Sequence, residues 1–152
     1  MRQQREMARA DAGSLRQRTA RMEVETGPRR FHDVSAAVDG WLGEIDAGEG
    51  LLTVFLRHTS ASLTIQENAD PDVLRDLLDV LDRLAPASGS YRHGSEGPDD
   101  MPAHIKTMLT GASIAVPVLN GRMDLGTWQG LYVIEHRARG HARSLTLHYL
   151  GT

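Results

Sequence analysis

The chain has 152 residues, of which 40% are hydrophobic and 24% charged, and its formal net charge is -3. This length favours a single domain, and the composition fits a globular protein without the positive charge expected of a nucleic-acid-binding protein. Cysteine is absent, which excludes disulfides, thiolate nucleophiles and Cys-ligated zinc, so a metal would be held by histidine, carboxylates or water. No apolar run approaches about 18 residues and no signal-peptide core is visible, so we expect a cytoplasmic protein with no membrane-spanning segment.

The first third of the chain predicts a tail, a strand and a helix. Residues 1–17 are polar and Arg-rich, which indicates a disordered tail before a single domain of residues 18–152. Polar and apolar residues alternate over 18–25, as in a strand. Asp33 is a candidate N-cap for a helix reaching Ile45. The side chains at helical spacing, expected to form its buried face, are Val34, Ala37, Val38, Trp41 and Ile45.

The middle of the chain predicts a strand, a helix and a long loop. The apolar run 51–57 indicates a strand that continues through Ile65. Asp70-Pro71 is a helix start, with Asp70 as N-cap and Pro86 beyond the end. The apolar stripe of this helix consists of Leu74, Leu77, Leu78, Leu81 and Leu84. On its opposite face, the charged residues expected to pair are Arg75, Asp79 and Arg83. Residues 86–100 have loop composition throughout.

The last third predicts a short helix followed by strands. The helix covers about 101–110, and strands follow at Ser113–Leu119, 127–137 and 144–150. Asn120-Gly121 is typical of a type I′ hairpin turn. Strands with three inserted helices indicate an α+β fold.

Residues 58–72, HTSASLTIQENADPD, form the first candidate site. In an extended chain Ser60, Ser62 and Thr64 share one face, which gives either a wall of a binding site or an ordinary strand with one solvated face. Asp70 is accounted for as a helix cap, so Glu67 is the better candidate for a general base.

Three histidines near predicted element ends form the second candidate site. His58, His93 and His104 would provide three neutral nitrogens with an open fourth position, the geometry of catalytic zinc. Each also has a structural interpretation, and for His104 it is helix capping. Lys106, beside His104 at a helix start, is suited to binding phosphate. His136 is a fourth candidate ligand.

Gly126-Thr127-Trp128-Gln129-Gly130 is the third candidate. Two glycines around a Trp permit close approach of a ligand or another subunit, with Thr127 and Gln129 as contacts, and a β-bulge is the alternative interpretation.

Three segments together resemble the YjbQ family, which is called secondary thiamine-phosphate synthase. They are HTSASLTIQENADPDV, YRHGSEGPDDMPAHIK and GASIAVPVLNGRMDLGTWQGLYVIEHR, and the resemblance covers about residues 18–150. It implies a small α+β domain with a β-sandwich-like core, a homotrimer, and weak activity in joining a pyrimidine pyrophosphate to a thiazole phosphate. The polar positions to which the resemblance points are His58, Glu67, Asn68, His93, Asp100, His104, Lys106 and Gln129.

The combined expectation is a metal-assisted enzyme. Zinc would be bound by His58, His93 and His104, or Mg²⁺ would act with the pyrophosphate, while Glu67 and Asp100 handle protons. A phosphorylated substrate would contact the side chains of Ser60, Asn68, Lys106, Thr127 and Gln129. The alternatives are a metal-dependent hydrolase, a binder of a phosphorylated metabolite without turnover, and a structural role for the histidines at a subunit interface.

Overall fold

A computed structural model describes residues 15–152. The prediction of a disordered tail over residues 1–17 falls mostly outside these residues. Within them, Arg16 and Gln17 already belong to the first strand.

Residues 15–152 form eight strands and three helices. The strands are β1 (Arg16–Glu25), β2 (Arg30–Asp33), β3 (Gly50–Leu56), β4 (Ala61–Glu67), β5 (Ser113–Leu119), β6 (Arg122–Met123), β7 (Gln129–Glu135) and β8 (Ala142–Gly151). The helices are α1 (Ser35–Glu44), α2 (Pro71–Leu84) and α3 (Asp100–Thr110). The helix predicted at about 101–110 is confirmed as α3, which has 11 residues and is as long as α1, with 10.

The strands form two antiparallel sheets, which confirms the α+β class. The five-stranded sheet has the order β1-β8-β3-β5-β6, and the three-stranded sheet has the order β2-β7-β4. Apolar side chains of both sheets and of α1 share one core, where Leu52, Leu63, Leu145 and Val38 are at most 1% exposed. The two sheets therefore pack face to face, as the sandwich-like expectation required.

Helix α2 covers the other face of the three-stranded sheet. Its residues Leu74, Leu77 and Leu78 pack on Phe31 and on the aromatic and aliphatic side chains that β7 presents there, Tyr132 and Ile134. Strand β7 is thus buried on both faces, with its odd-numbered apolar residues in the main core and its even-numbered ones under α2. Helix α3 lies beside β4, where Thr107 Oγ1 donates to the carbonyl oxygen of Ala61 at 3.2 Å.

The segment from 51 to 65, predicted as one strand, is divided between the two sheets. The prediction of one continuous strand is wrong here, because β3 ends at Leu56 and β4 begins at Ala61 in the other sheet. A periodicity of two cannot reveal such a transfer, since each strand alternates correctly on its own. The intervening turn carries His58, Thr59 and Ser60 to the junction of the sheets.

The start of α1 differs from the prediction. Asp33 ends β2, and Val34 occupies the N-cap without a side-chain cap, although Asp33 Oδ1 accepts a hydrogen bond from Ser35 N at 2.8 Å. Leu42 is fully buried and Ala37 is exposed. Strand pairing of β2 with β7 outweighs the local capping preference of an aspartate.

The predicted start of α2 is confirmed. Asp70 Oδ1 accepts from the backbone N–H of Asp72 at 2.9 Å, and Pro71 is the first helical residue. The prediction that Arg75, Asp79 and Arg83 pair with one another is wrong. Arg75 pairs with Asp72, while Asp79 pairs with Arg29 of the turn before β2.

Candidate functional site

Three side chains that commonly bind metals converge at the start of α3. His93 comes from the loop before the helix, and Asp100 and His104 stand one turn apart on it. One ligand atom from each lies within 4.8 Å of the other two. Asp100 Oδ2 is central, 2.7 Å from His93 Nε2 and 3.3 Å from His104 Nε2. Ligand atoms that share one zinc ion lie up to roughly 4 Å apart, so this group is close to a coordinating arrangement.

The main chain fixes the orientation of His104. Its Nδ1 lies 2.8 Å from the carbonyl oxygen of Thr59, and because a carbonyl only accepts, Nδ1 carries the hydrogen. The neutral ring then turns the lone pair of Nε2 toward Asp100 Oδ2. Two acceptors at 3.3 Å repel each other unless a proton or a metal ion lies between them. A carbonyl that holds the far nitrogen is a usual feature of metal-binding histidines.

Asp100 is ionised although it is 2% exposed. Burial by itself would raise the pKa of Asp100, but the hydrogen bond from His93 and the positive charge of Arg137 outweigh burial and hold this pKa below its ordinary value. A buried carboxylate that stays charged is a strong ligand for a hard or borderline cation.

Arg137 organises the acidic end of the loop, and the sequence interpretation missed it. Its Nη1 donates to Asp100 Oδ1, its Nε donates to Asp99 Oδ2 at 3.0 Å, and its Nη2 donates to the carbonyl oxygen of Glu96 at 2.8 Å. The residue is 4% exposed. By holding one oxygen of Asp100, it leaves Oδ2 for the two histidines. The sequence signal for such a residue was the acidic run Glu96, Asp99 and Asp100. Carboxylates that pack together against a protein need a cationic partner.

His58 does not belong to this group, which corrects the expected set of three imidazoles. Its Nε2 accepts a hydrogen bond from the backbone N–H of Ser144 on β8 at 2.8 Å. Burial lowers the pKa of His58, and the neighbouring Arg143 lowers it further. The lone pair needed for a metal is therefore engaged in joining the β3–β4 turn to β8, and Asp100 takes the third position instead.

Ser60 contacts a buried ion pair. Arg143 Nη1 donates to Ser60 Oγ at 3.2 Å, and the same guanidinium donates twice to Glu135, at 2.7 and 2.6 Å. Glu135 is fully buried. Burial would raise the pKa of Glu135, but the hydrogen bonds from Arg143, from the backbone N–H of Arg137 and from Thr26 hold it below its ordinary value. Such a closed pair joins β7 to β8 and leaves Ser60 with a structural role in this chain.

Glu67 and Asn68 lie at the far end of β4 from the His93–Asp100–His104 group. Ala61, near His104, opposes Glu135, whereas Glu67 opposes Gln129. Six residues of strand separate the two ends by roughly 20 Å. Glu67 Oε1 accepts from Asp70 N at 3.4 Å, at the start of α2. Glu67 is therefore too distant to act as general base at His104 of the same chain.

The remaining predicted substrate contacts are also separate. Asn68 Nδ2 donates to the carbonyl oxygen of Gln129 at 3.2 Å, and Gln129 Oε1 accepts from Gly126 N at 2.8 Å. Thr127 and Trp128 are exposed in this turn. The GTWQG segment contacts Asn68, as a shared substrate site would require. It does not join the His93–Asp100–His104 group.

Lys106 faces away from that group. At about 100° per residue, Lys106 lies on the opposite side of α3 from Asp100 and His104. It is 5% exposed, and its Nζ donates to Asp82 Oδ1 at 2.5 Å. The expected phosphate ligand is thus already paired with a carboxylate of α2.

His136 also lies outside the His93–Asp100–His104 group. Its Nε2 is 2.8 Å from Ser62 Oγ, and the residue is 4% exposed. Burial, with a smaller effect of the Lys106 charge, lowers the pKa of His136 to about 4, so its ring is neutral at physiological pH.

Within residues 15–152, no helix is long and apolar enough to cross a membrane.

Comparison with known proteins gives a consistent family. The family model described as UPF0047 protein YjbQ-like matches residues 20–152. A UPF0047 protein of Synechocystis is 46% identical over 143 residues, covering 93% of this chain and 97% of the relative. The UPF0047 protein YjbQ of Escherichia coli O157:H7 is 44% identical over 118 residues, covering 77% and 86%.

Solved structures agree with the fold. A Clostridium acetobutylicum protein of the yjbq/upf0047 family superposes with a TM-score of 0.78 at 38% identity, covering 84% of this chain and 97% of its own. A YbjQ-like protein of unknown function from Sulfolobus solfataricus reaches a TM-score of 0.84 at 21% identity, covering 91% and 100%. At that identity the second comparison concerns the fold alone.

Proposed function

The chain belongs to the YjbQ-like UPF0047 family, and we propose that it is a divalent-metal-dependent enzyme acting on a phosphorylated small molecule. The metal is held by His93, Asp100 and His104. One observation carries this proposal: His104 Nε2, which is a bare acceptor in the neutral ring, lies 3.3 Å from the carboxylate oxygen Oδ2 of Asp100. A shared cation removes their repulsion and adds His93 as third ligand.

The donor set favours zinc. Two imidazoles and one carboxylate, with a further position open to water or substrate, is the ligand set of several catalytic zinc enzymes. The same set also suits Fe²⁺, and an all-oxygen set would suit Mg²⁺ better. In the bound state the metal supplies Lewis acidity and lowers the pKa of a coordinated water.

The protein's own residues supply orientation and charge. The Thr59 carbonyl holds the ring of His104, and Arg137 holds Asp100 by its other oxygen. His93 Nε2 lies within hydrogen-bond distance of Asp100 Oδ2, so this nitrogen must carry no hydrogen if it is to bind a cation there. Protons compete with a cation for imidazole nitrogens. Metal affinity is therefore expected to fall as the pH falls.

Thiamine phosphate synthase chemistry is the reaction that the family resemblance implies. A cation at this group would stabilise the departing pyrophosphate of the pyrimidine substrate, as electrostatic catalysis of such a step requires. This reaction is the first to be assayed, with pyrimidine pyrophosphate and thiazole phosphate as substrates.

A metal-dependent hydrolase is the second candidate, favoured by the position of Lys106. The transfer reaction needs positive charge for two phosphorylated substrates. Because Lys106 pairs with Asp82 on the opposite side of α3, the metal would have to supply that charge without this lysine. Activation of water for attack on one substrate needs the metal alone.

The metal part is tested by elemental analysis of protein purified without chelators. We expect zinc near one per chain in the wild type, and about tenfold less or lower in His104→Ala and Asp100→Asn. His148→Ala is the matched control, since His148 lies on β8 with one long contact to Gln17. Equal metal in all four proteins, or no metal in the wild type after zinc is added back, would remove the metal from the proposal.

The enzymatic part is tested on the zinc-loaded wild type. Product from the two phosphate substrates supports transfer, and inorganic phosphate released from either substrate alone supports hydrolysis. Ligand-induced thermal stabilisation without any product would instead identify a binding protein.

A further inference from the structure

A cavity of about 400 Å³ lies beside α2 and α3. Its volume is at the lower end of the range for small-molecule sites. Lys106 of α3, Asp82 of α2 and Arg29 line it, together with residues 86–88, which follow α2. The His93–Asp100–His104 group takes no part in its walls, so the cavity is a separate candidate site.

One wall of this cavity carries a continuous row of charged groups. Lys106 Nζ donates to Asp82 Oδ1 at 2.5 Å, and Arg29 Nε donates to the other oxygen, Asp82 Oδ2. Burial by itself would raise the pKa of Asp82, but the hydrogen bonds from Lys106 and Arg29 outweigh burial and hold this pKa below its ordinary value. The row therefore consists of a cation, an ionised carboxylate and a second cation.

The row is accessible and still has hydrogen-bonding capacity. The side chains of Arg29 and Asp82 are 43% and 38% exposed. Lys106 is 5% exposed, and within residues 15–152 its Nζ has one hydrogen-bond acceptor, Asp82 Oδ1, although an ammonium has three N–H groups. Because N–H groups of a buried cation that lack acceptors are costly, we expect the contents of the cavity to supply oxygen atoms to this row.

The charges around the cavity are balanced, which disfavours a charged ligand. Arg29 and Lys106 are the cations that line it, and Asp82 and Asp99 are the anions. Asp99 is paired with Arg137. A strongly charged ligand such as phosphate would lose its hydration here without gaining an uncompensated partner.

The remaining walls are largely apolar. They consist of Pro86, Ala87, Pro102 and Ala138, with the hydroxyl of Ser88 beside them. Such walls pack against C–H groups. A ligand that fits the whole cavity therefore combines C–H surface with several neutral polar groups.

Hydroxyl groups match the charged row better than other neutral groups do. Ammonium and guanidinium groups only donate and a carboxylate only accepts, so neighbouring ligand atoms must alternately accept and donate. A hydroxyl does both, whereas an amide holds its donor and its acceptor on separate atoms in a fixed order. Hydroxyls on neighbouring ring carbons can therefore bond Arg29, Asp82 and Lys106 in sequence.

We propose that this cavity binds an uncharged cyclic polyol, a compact ring with hydroxyls on neighbouring carbons, as in a monosaccharide or a cyclitol. The hydroxyls donate to Asp82 and accept from Arg29 and Lys106, while the C–H groups pack on the apolar walls. This site does not rest on the proposed metal chemistry, and either can fail without the other.

The test uses the full chain labelled with ¹³C-lysine, because Lys106 is the only lysine and gives a single Cε signal. The probes are methyl β-glucoside and myo-inositol, one for each source of a cyclic polyol. At least one should shift the Lys106 signal in a saturable way, and the stronger binder identifies the source. Cyclohexanol, a ring with a single hydroxyl, should bind about tenfold more weakly or worse. Inorganic phosphate should leave the signal unchanged.

Two pairs of variants locate the binding, each checked for folding by circular dichroism. Asp82→Asn removes the charged acceptor and should weaken polyol binding about tenfold or more, whereas Asp76→Asn, at an exposed position of the same helix, should not. Ala87→Trp fills the cavity from its exposed rim and should abolish the shift. Its matched control is Ala37→Trp, on the exposed face of α1, which should bind as the wild type does.

Three results would overturn the proposal. If neither polyol gives a saturable shift, only solvent occupies the cavity. If cyclohexanol binds as well as the polyols, the row of charged groups does not recognise hydroxyls. If folded Ala87→Trp binds as the wild type does, the polyol lies elsewhere, and this result stands even if Asp82→Asn fails to fold.

Discussion

At the scale of single residues, position relative to a carbonyl or a guanidinium decides what each histidine and carboxylate does. His58 and His104 both lie near the β3–β4 turn, yet a backbone N–H occupies the acceptor nitrogen of His58, while a backbone carbonyl leaves that of His104 available. The same residue type is thus structural in one case and a candidate ligand in the other.

Arg137 should control metal affinity through Asp100 without touching the metal. We expect Arg137→Met to weaken zinc binding by about 10–100-fold, because Asp100 loses the group that orients it. Arg137→Lys should recover part of this affinity, since a lysine restores the charge but cannot bond Asp99, Asp100 and Glu96 together. Competition with a chromophoric zinc chelator measures the affinities. If Arg137→Met matches the wild type while remaining folded by circular dichroism, Asp100 does not need this orientation.

His136 should make the protein sensitive to mild acid. Its pKa is about 4 in the folded chain and near 6.5 when exposed, so the unfolded state binds more protons between these values. Stability from this residue is complete above about pH 6.5 and is lost as the pH falls toward 4, by roughly 3 kcal/mol in all.

Urea unfolding at pH 7.5, 6, 5 and 4 measures this loss. His136→Gln should flatten the pH dependence of the free energy of unfolding, and His148→Gln should not. An unchanged slope in His136→Gln would show that another group causes the acid sensitivity.

At the scale of elements, the three-stranded sheet is the central layer: one of its faces packs in the main core and the other packs against α2. Because β7 is buried on both faces, its residues at successive positions contact different layers. Its C-terminal continuation then delivers His136 to Ser62 on β4 and Arg137 to Asp100 at the start of α3. The candidate site therefore depends on the end of this strand.

The cap of α2 is a local contribution that can be measured separately. Asp70→Ala removes the side chain that accepts from Asp72 N and should lower the free energy of unfolding by about 1 kcal/mol. Asp76→Ala, at an exposed position in the middle of the same helix, is the control and should change stability by less than about 0.5 kcal/mol. Equal effects of the two substitutions in urea unfolding would indicate that the cap contributes nothing specific.

At the scale of the whole molecule, the outer face of the five-stranded sheet is unusually apolar. Strands β3 and β8 lie inside the sheet order, yet Leu51, Phe55 and Leu150 are 45–47% exposed on them. Leu51 and Leu150 are direct cross-strand neighbours, and Phe55 lies beyond Thr53 on the same face of β3. The three side chains define one apolar patch that is interrupted by the pair Thr53 and His148.

We expect further copies of this chain to cover that face in the homotrimer that the family resemblance implies. Light scattering after gel filtration should give three times the chain mass of 16.7 kDa for the wild type. Phe55→Glu should shift the mass toward that of the monomer, because it places a charge in the patch. Leu84→Glu changes another exposed apolar residue, 63% exposed at the end of α2, and should remain trimeric. A wild-type mass of one chain would contradict the assembly.

The sequence by itself determined the features that have local causes. Asp70-Pro71 predicts the start of α2 because capping acts within three residues, and Asn120-Gly121 predicts its turn because both residues adopt a positive φ, 52° and 75°. The α+β class and the loop of residues 86–99 follow from periodicity and composition in the same way.

Only the tertiary structure decided which distant side chains meet. His93, Asp100 and His104 converge because Arg137, brought by β7, holds the loop against the start of α3, and no spacing in the chain encodes that contact. Glu67 and Lys106 were plausible partners in sequence, but one lies six strand residues from the group and the other on the opposite face of the helix. Long-range pairing sets these distances, and pairing depends on the burial of whole faces rather than on any one motif.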